Sequence, residues 1–340
     1  MLLVAGAPEL DHHDSGRAHP ERPARVPAAL AGIDDAGLRD AVVPLAPRRA
    51  TEQELLAVHT PDHLAGVRAV CEAGGGALDP DTRVGPGSWD TALLAAGAGL
   101  AAVDALARGE GEVAFVAARP PGHHALADQA MGFCLLNNVA VAAAALTARG
   151  ERVLIVDWDV HHGNGTQAVF WDDPDVLYVS THQWPLYPGS GRVVETGGPH
   201  APGLTVNIPL PAGGTGDVVL RALDEVVAPV VARFAPTWVL VSAGFDAHRA
   251  DPLAGMELTA GDFADMARRV QGFTGSTGRL ALLLEGGYDL DALRLSAGAA
   301  LAAVLDADFR PEPASQGGPG TDAVRAARRV HVDGAGPVPG

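Results

Sequence analysis

Six short runs along this chain are almost purely apolar, and each ends against polar or small residues: 112–118, 152–156, 176–180, 204–208, 238–242 and 280–284. Rich in Val and Leu and too short for helices, they predict strands buried on both faces. Between them apolar residues recur at helical spacing over 89–108 after Ser88, 137–149 closed by Gly150, 217–234 and 262–273. Strands alternating with helices imply an α/β fold, a mainly parallel sheet held between helices. Thr51 and Glu54 form a capping-box pattern that opens a helix nearer the N-terminus, and Thr60-Pro61 restarts it. No internal repeat or break in composition divides residues 1–310, which read as one domain. Residues 311–340 carry Gly-Gly-Pro-Gly, a short helical patch over 321–329 and a Gly/Pro end, and predict a loosely held C-terminal tail. In open α/β sheets a ligand site lies beyond the carboxyl ends of the strands, and that is where the polar groups of these runs fall.

The densest chemistry follows the second run. In Val153-Leu154-Ile155-Val156-Asp157-Trp158-Asp159-Val160-His161-His162-Gly163-Asn164-Gly165 an apolar strand opens into two acids, two histidines and two glycines. Side chains two apart on a strand share a face, so Asp157, Asp159 and His161 align, and carboxylate plus imidazole suits a divalent metal. The blander reading, a buried ion-pair turn, does not call for three aligned groups followed by Gly-Asn-Gly. The run 238–242 leads into Ala243-Gly244-Phe245-Asp246-Ala247-His248, which sets a further acid at the sheet edge. Asp159, His161 and Asp246 would leave a metal position open to water or substrate, as catalytic sites do. Two oxygens and one nitrogen suit zinc, and would also hold iron(II), cobalt or manganese.

Two more strand ends add groups. Arg119-Pro120-Pro121-Gly122-His123-His124-Ala125 holds tandem histidines in a loop stiffened by proline, and an imidazole near neutral pKa can take a proton and return it. Leu284-Glu285-Gly286-Gly287-Tyr288-Asp289 brings a phenol after two glycines, a neutral donor able to stabilise an oxyanion.

Composition narrows the class. The net charge of −17 over 340 residues argues against direct nucleic-acid binding and suits cationic partners. All 24 basic residues are arginine, which reads as the coding bias of a GC-rich genome. No apolar stretch reaches the ~20 residues of a membrane helix, and Met1-Leu2-Leu3-Val4-Ala5 lacks a basic signal-peptide start. Two cysteines, Cys71 and Cys134, suggest no disulfide framework. The expectation is a cytoplasmic protein with no membrane contact; a homo-oligomer is compatible with it.

In order and spacing, 119–125, Gly132-Phe133-Cys134-Leu135-Leu136-Asn137-Asn138, 157–167, 242–253 and 285–290 resemble the histone deacetylase family. The resemblance covers roughly residues 10 to 305. His19-Pro20-Glu21-Arg22-Pro23, Asp157-Trp158-Asp159 and Gly163-Asn164-Gly165 are more similar to the class II branch and its bacterial amidohydrolase relatives, including acetylpolyamine amidohydrolases.

The resemblance implies a single arginase-like α/β catalytic domain with zinc on Asp159, His161 and Asp246. Fe2+ or Co2+ would be substitutes. His124 would be the general base and acid, with His123 beside it paired to Asp157. Asn164 stands where class I members have aspartate, and Tyr288 would share the oxyanion with zinc. The resemblance further implies a structural potassium ion on Asp157, Asp159, His161, Ser180 and Thr181. It implies substrate contacts at Gly132, Phe133, Tyr187 and Leu253, and an inner acetate pocket lined by Arg25. Substrates would be acetyl-lysine of proteins or small acetylated amines such as acetylpolyamines. Leu253 at the rim cannot pair with an ammonium and favours acyl-lysine; the negative charge favours polycations. A binuclear manganese ureohydrolase would need a second carboxylate cluster, for which only His248 is at hand. A non-catalytic acylamine-binding protein would be expected to lack Tyr288, a ligand or the histidine pair.

Overall fold

Alternation along the strands builds two cores around one sheet. In Val153–Asp157, Leu154 and Val156 join the buried cluster on one face while Val153 and Ile155 join the other. The same division separates Val113 and Phe115 from Ala114 and Val116. A strand apolar on both sides is stable only between two layers of helices. The chain forms that arrangement in a computed structural model, which describes residues 1–6, 11–275 and 279–334.

Ten strands run along the described chain: β1 (Leu2–Ala5), β2 (Val42–Pro44), the short β3 (Gly76–Ala77) and β4 (Arg83–Val84), β5 (Val113–Val116), β6 (Val153–Asp157), β7 (Val176–Gln183), β8 (Thr205–Leu210), β9 (Trp238–Ala243) and β10 (Leu280–Leu284). β3 and β4 pair antiparallel by themselves. The other eight form one sheet in the order β2-β1-β5-β10-β9-β6-β7-β8, every neighbouring pair parallel. All six runs expected as strands are strands. β1 and β2 add two more at the β5 side, where short apolar stretches without regular spacing gave no strand signal.

The helices are α1 (Arg25–Asp35), α2 (Glu52–Leu55), α3 (Pro61–Glu72), α4 (Ser88–Ala107), α5 (Asn138–Thr147), α6 (Asn164–Val169), α7 (Gly216–Ala222), α8 (Ala228–Phe234), α9 (Ala260–Gly272), α10 (Leu290–Val304) and α11 (Thr321–Arg328). One face of the sheet packs on Val26 and Ile33 of α1, Val219 of α7, Phe263 and Met266 of α9 and Leu293 of α10. The other packs on Val67 of α3, Leu100 and Val103 of α4 and Val139 of α5. The Thr51 capping box is present: Glu54 N–H donates to Thr51 Oγ1 at 3.3 Å, and Thr51 N–H to Glu54 Oε2 at 2.8 Å. Such a cap is worth about 1 kcal/mol. The helix expected over 217–234 is α7 and α8 joined through a wider π turn, Leu223–Val227, and it ends at Ala235 in the left-handed conformation.

Two expectations change. α4, at 20 residues and a mean hydropathy of 1.4, is long and apolar enough to cross a membrane, but 67% of its most apolar window is buried inside the fold. Its two acids, Asp90 and Asp104, hid that length in the sequence. The segment expected as a loose tail also packs on the body as far as it is described, with residues 335–340 outside the described residues. Val324 and Ala327 of α11 are fully buried, and Ser315 N–H and Oγ both bond Asp262. His331 reaches the carbonyl of Asn207 on β8 at 3.3 Å.

Candidate active site

The strands β5, β10, β9 and β6 are consecutive neighbours in the sheet, so the loops after them meet at one end of it. Each of those loops carries one of the groups singled out above.

β6 ends at Asp157, so Asp157, Asp159 and His161 do not share a strand face as their spacing suggests. Side-chain turns carry the chain off the strand: Asp157 Oδ1 accepts Asp159 N–H at 3.2 Å, and Asp159 Oδ1 accepts His161 N–H at 2.9 Å. Asp159 and His161 thereby meet Asp246 from the loop after β9. His161 Nδ1 lies 3.2 Å from Asp159 Oδ1 and 3.1 Å from Asp246 Oδ2. One ligand atom from each of the three lies within 4.8 Å of the others, and all three residues are buried. This is the one such group of metal-ligating side chains among the described residues. Backbone donors aim the carboxylates: Val160 N–H reaches Asp246 Oδ1 at 2.9 Å and Gly286 N–H reaches Asp159 Oδ2 at 2.8 Å. Gly286 has to be glycine, since a Cβ there would strike both carboxylates.

The electrostatics of the trio are those of a cation site. Burial pulls the His161 pKa down, but hydrogen bonds and charge from Asp159 and Asp246 outweigh it and raise it to about 10. Burial and the charge of Asp159 push Asp246 up to about 7. Asp159 is held low despite burial, by His123 and His161. Two buried acids thus concentrate positive charge on one imidazole, and a divalent ion accepting the same three side chains would replace that proton. The donor set, two carboxylates and one imidazole, fits a zinc-type metal.

The tandem histidines sit beside the trio with opposite electrostatics. His123 Nδ1 is 3.0 Å from Asp157 Oδ2; burial lowers its pKa, but Asp159 and Asp157 carry it well above 6.5. His124 Nδ1 is 2.8 Å from Asn164 Oδ1, the Asn164 amide nitrogen facing Met131 Sδ instead. Nδ1 of His124 therefore donates, and Nε2 keeps its lone pair. Burial, then the charges of His123 and His161, hold His124 well below 6.5. Glu285, at the end of β10, accepts Gly122 N–H at 2.6 Å and His123 N–H at 3.2 Å and so fixes the histidine loop to the sheet.

Tyr288, in the loop after β10, is buried, and its phenol pKa is raised chiefly by that burial, so it stays a proton donor. Its ring centroid is 5.9 Å from that of Phe133 at 87°. Tyr187 lies edge-on to His124 at 5.1 Å and to His161 at 6.4 Å. Gly132, at φ +55°, passes so close that a Cβ would collide with His124. Gly132, Phe133 and Tyr187 thus lie against the same histidines and Tyr288.

Other expected residues lie further off. Leu253 is half-buried, its N–H donating to Asp251 Oδ1 at 2.9 Å. Arg25 is fully buried beneath Tyr288, 5.0 Å from the ring centroid, and donates to Gly287 O at 2.7 Å and to Glu285 O. Ser180 stands opposite Asp157 in the β6–β7 register, with its hydroxyl against His182 Nδ1 at 2.9 Å, and Thr181 follows it, buried. His248 is tied to Glu312 at 2.8 Å. Sequence reading missed Asp251, which accepts Tyr288 N–H at 2.7 Å, and gave no role to Glu285 although it stood in a quoted motif. An acid before proline carries no signal of its own.

A model of the histone deacetylase domain family matches residues 19–304. A probable deacetylase of Archaeoglobus fulgidus is 41% identical over 284 residues, 82% of this chain and 79% of that one. A histone deacetylase-like amidohydrolase of Pseudomonas aeruginosa is 44% identical over 244 residues, 70% of this chain and 64% of that protein. Among solved structures, the HDA15 HD domain superposes with a TM-score of 0.90 at 36% identity, covering 98% of this chain and 95% of that domain.

Proposed function

The chain belongs to the histone deacetylase family, a family of deacetylases and amidohydrolases acting on acetylated substrates, and from that membership we propose that it is a zinc-dependent deacetylase of acetyl-lysine side chains or similar N-acetylated amines. The observation that carries this reading is the convergence of Asp159, His161 and Asp246, a trio able to hold a cation, with the His124 imidazole, whose Nδ1 faces Asn164 Oδ1 and whose pKa burial holds down, and with the buried Tyr288 phenol.

Asp159, His161 and Asp246 would hold the zinc, with iron(II) or cobalt as substitutes. There it would supply Lewis acidity toward the amide carbonyl and toward water. Nε2 of His124 takes a proton from the attacking water; Asn164 holds the ring in the tautomer that leaves this atom free. His123, charged and paired to Asp157, keeps His124 from protonating early. The same His124 returns its proton to the leaving amine, so that acetate and a free amine depart. Tyr288 donates its hydroxyl proton in a hydrogen bond to the developing oxyanion, a contribution of roughly 10²–10³ in rate for a single donor. Phe133 and Tyr187 wall the apolar stem of the substrate, with Gly132 admitting it close to His124. Asp157, the main chain of Asp159 and His161, Ser180 and Thr181 would hold a potassium ion, a reading supported by the pairing of Asp157 with Ser180.

Acetylpolyamines are the second reading. The net charge of −17 favours them and the apolar Leu253 opposes them. Zinc-loaded protein assayed on an acetyl-lysine peptide beside N-acetylputrescine and acetylspermidine, with a hydroxamate control, separates the two. Peptide turnover blocked by hydroxamate is expected, and turnover confined to polyamines would move the substrate while keeping the chemistry. Tyr288→Phe is expected to lose at least about 100-fold in kcat with metal content unchanged. Equal turnover in that variant would remove Tyr288 from the mechanism. His161→Ala is expected to lose metal and activity together.

A further inference from the structure

Tyr288 stands on a corner that local sequence does little to fix. Gly286 and Gly287 precede it, and Gly287 holds φ +119°, where the peptide that follows has the freedom glycine confers. Both polar atoms of that one peptide group are nevertheless engaged by buried side chains from distant parts of the chain. The Gly287 carbonyl accepts from Arg25 Nε at 2.7 Å, and the Tyr288 N–H donates to Asp251 Oδ2 at 2.7 Å. Opposite charges thus hold the two ends of a single peptide dipole. Arg25 is held in turn by Glu21, 3.3 Å away, and its guanidinium underlies the Tyr288 ring. The second oxygen of Asp251 accepts Leu253 N–H.

We propose that Asp251, acting with Arg25 across the Gly287–Tyr288 peptide, is a positioning residue that sets where the Tyr288 hydroxyl lies. The inference rests on the reading of Tyr288 as the oxyanion donor. Hydrogen bonds to charged groups are roughly twice as strong as neutral ones, so this pair selects one orientation of a peptide that its glycine leaves free. An oxyanion donor acts only when already in place, and a shift of about 1 Å at a reacting group costs on the order of 100-fold. Asp251 itself touches no reacting atom. Because the same carboxylate holds Leu253, a purely structural role in the loop is the alternative.

A double-mutant cycle distinguishes them. On the acetylated amine that the metal-loaded protein turns over, Asp251→Ala is expected to lower kcat about 100-fold and to move KM by less than about threefold. Made in the Tyr288→Phe background, it is expected to cost less than about threefold more, since the hydroxyl it positions is gone. Equal fold-losses in the two backgrounds, or a loss confined to KM, would overturn the proposal. If Asp251→Ala gives no cooperative thermal transition, Asp251→Asn, which keeps an acceptor without the charge, carries the same cycle with an expected loss of about tenfold. The single variant Tyr288→Phe tests the underlying reading alone, so its failure is told apart from that of Asp251.

Discussion

Two adjacent buried imidazoles are pushed in opposite directions: the charges of Asp159 and Asp157 outweigh burial at His123, while burial and the charges of His123 and His161 prevail at His124. His123 faces the carboxylate of Asp157 and His124 faces the amide of Asn164, and the pKa of the first is raised while that of the second is lowered. A bound cation would lower His124 further. With His124 as the proposed base, protonation of its Nε2 would set the acid limb of activity, so kcat/KM is expected to hold steady as pH falls through 6.5 and to decline only below it. Asn164→Asp puts a charge where the amide was, favours the imidazolium, and is expected to raise that limb by about 1 to 3 pH units, read from a kcat/KM profile. An unmoved limb would mean that His124 does not carry the titrating proton. The histidines, the acids after β6 and β9, and Tyr288 were legible in sequence because their types are chemically conspicuous at strand ends. Asp251 was not, since its action passes through a main-chain N–H 37 residues further along, which no local pattern records.

The strand β10 reaches the site twice, through Tyr288 beyond its end and through Glu285 just past its last residue. Glu285 Oε2 satisfies two buried N–H groups of the histidine loop, and Oε1 has no partner among the described residues. Burial raises its pKa to about 7 in the metal-free protein. A carboxyl with a folded pKa above its unfolded value binds more protons when folded, so its contribution to stability falls as pH rises from about 4.5 through 7. Glu285→Gln, neutral at every pH, is therefore expected to match the metal-free parent near pH 5 and to exceed it by pH 8, measured by urea unfolding. Glu285→Ala strands both N–H groups and is expected to lose about 2–5 kcal/mol at either pH. A Gln variant that falls behind the parent as pH rises would show that the charged form is the one the loop needs. Element assignment from sequence was sound where an apolar run was flanked by polar residues on both sides, as in β6, β9 and β10. It failed for β1 and β2 and for α1 and α10, whose short or alanine-rich patterns carry little periodicity and whose place is set by the sheet they pack on.

The order of strands, and what closes the sheet, could not be read from periodicity, because pairing between β5 and β10 joins segments far apart in the chain. The C-terminal segment is the sharpest case. Its Gly and Pro content reads as loose, yet Val324 and Ala327, three apart in a short helix of alanines and charged residues, are its buried anchors. β8 is the last strand of the sheet, and an edge strand without cover exposes unpaired main-chain groups to other molecules. Here α11 and the residues after it lie against that end: His331 Nε2 meets the Asn207 carbonyl of β8, and Arg233 of α8 donates to His331 O at 2.9 Å. Glu312 joins this segment to the loop bearing Asp246, through His248 at 2.8 Å and Arg249 at 2.5 Å. Ending the chain at residue 310 would remove all three ties at once, uncover the β8 edge and free the loop that carries Asp246. The truncated protein is expected to melt several degrees lower, to self-associate on size-exclusion chromatography and to bind zinc more weakly in a competition titration. Full stability and monodispersity after truncation would mean that the segment only rests on the body and that β8 is protected by its own side chains.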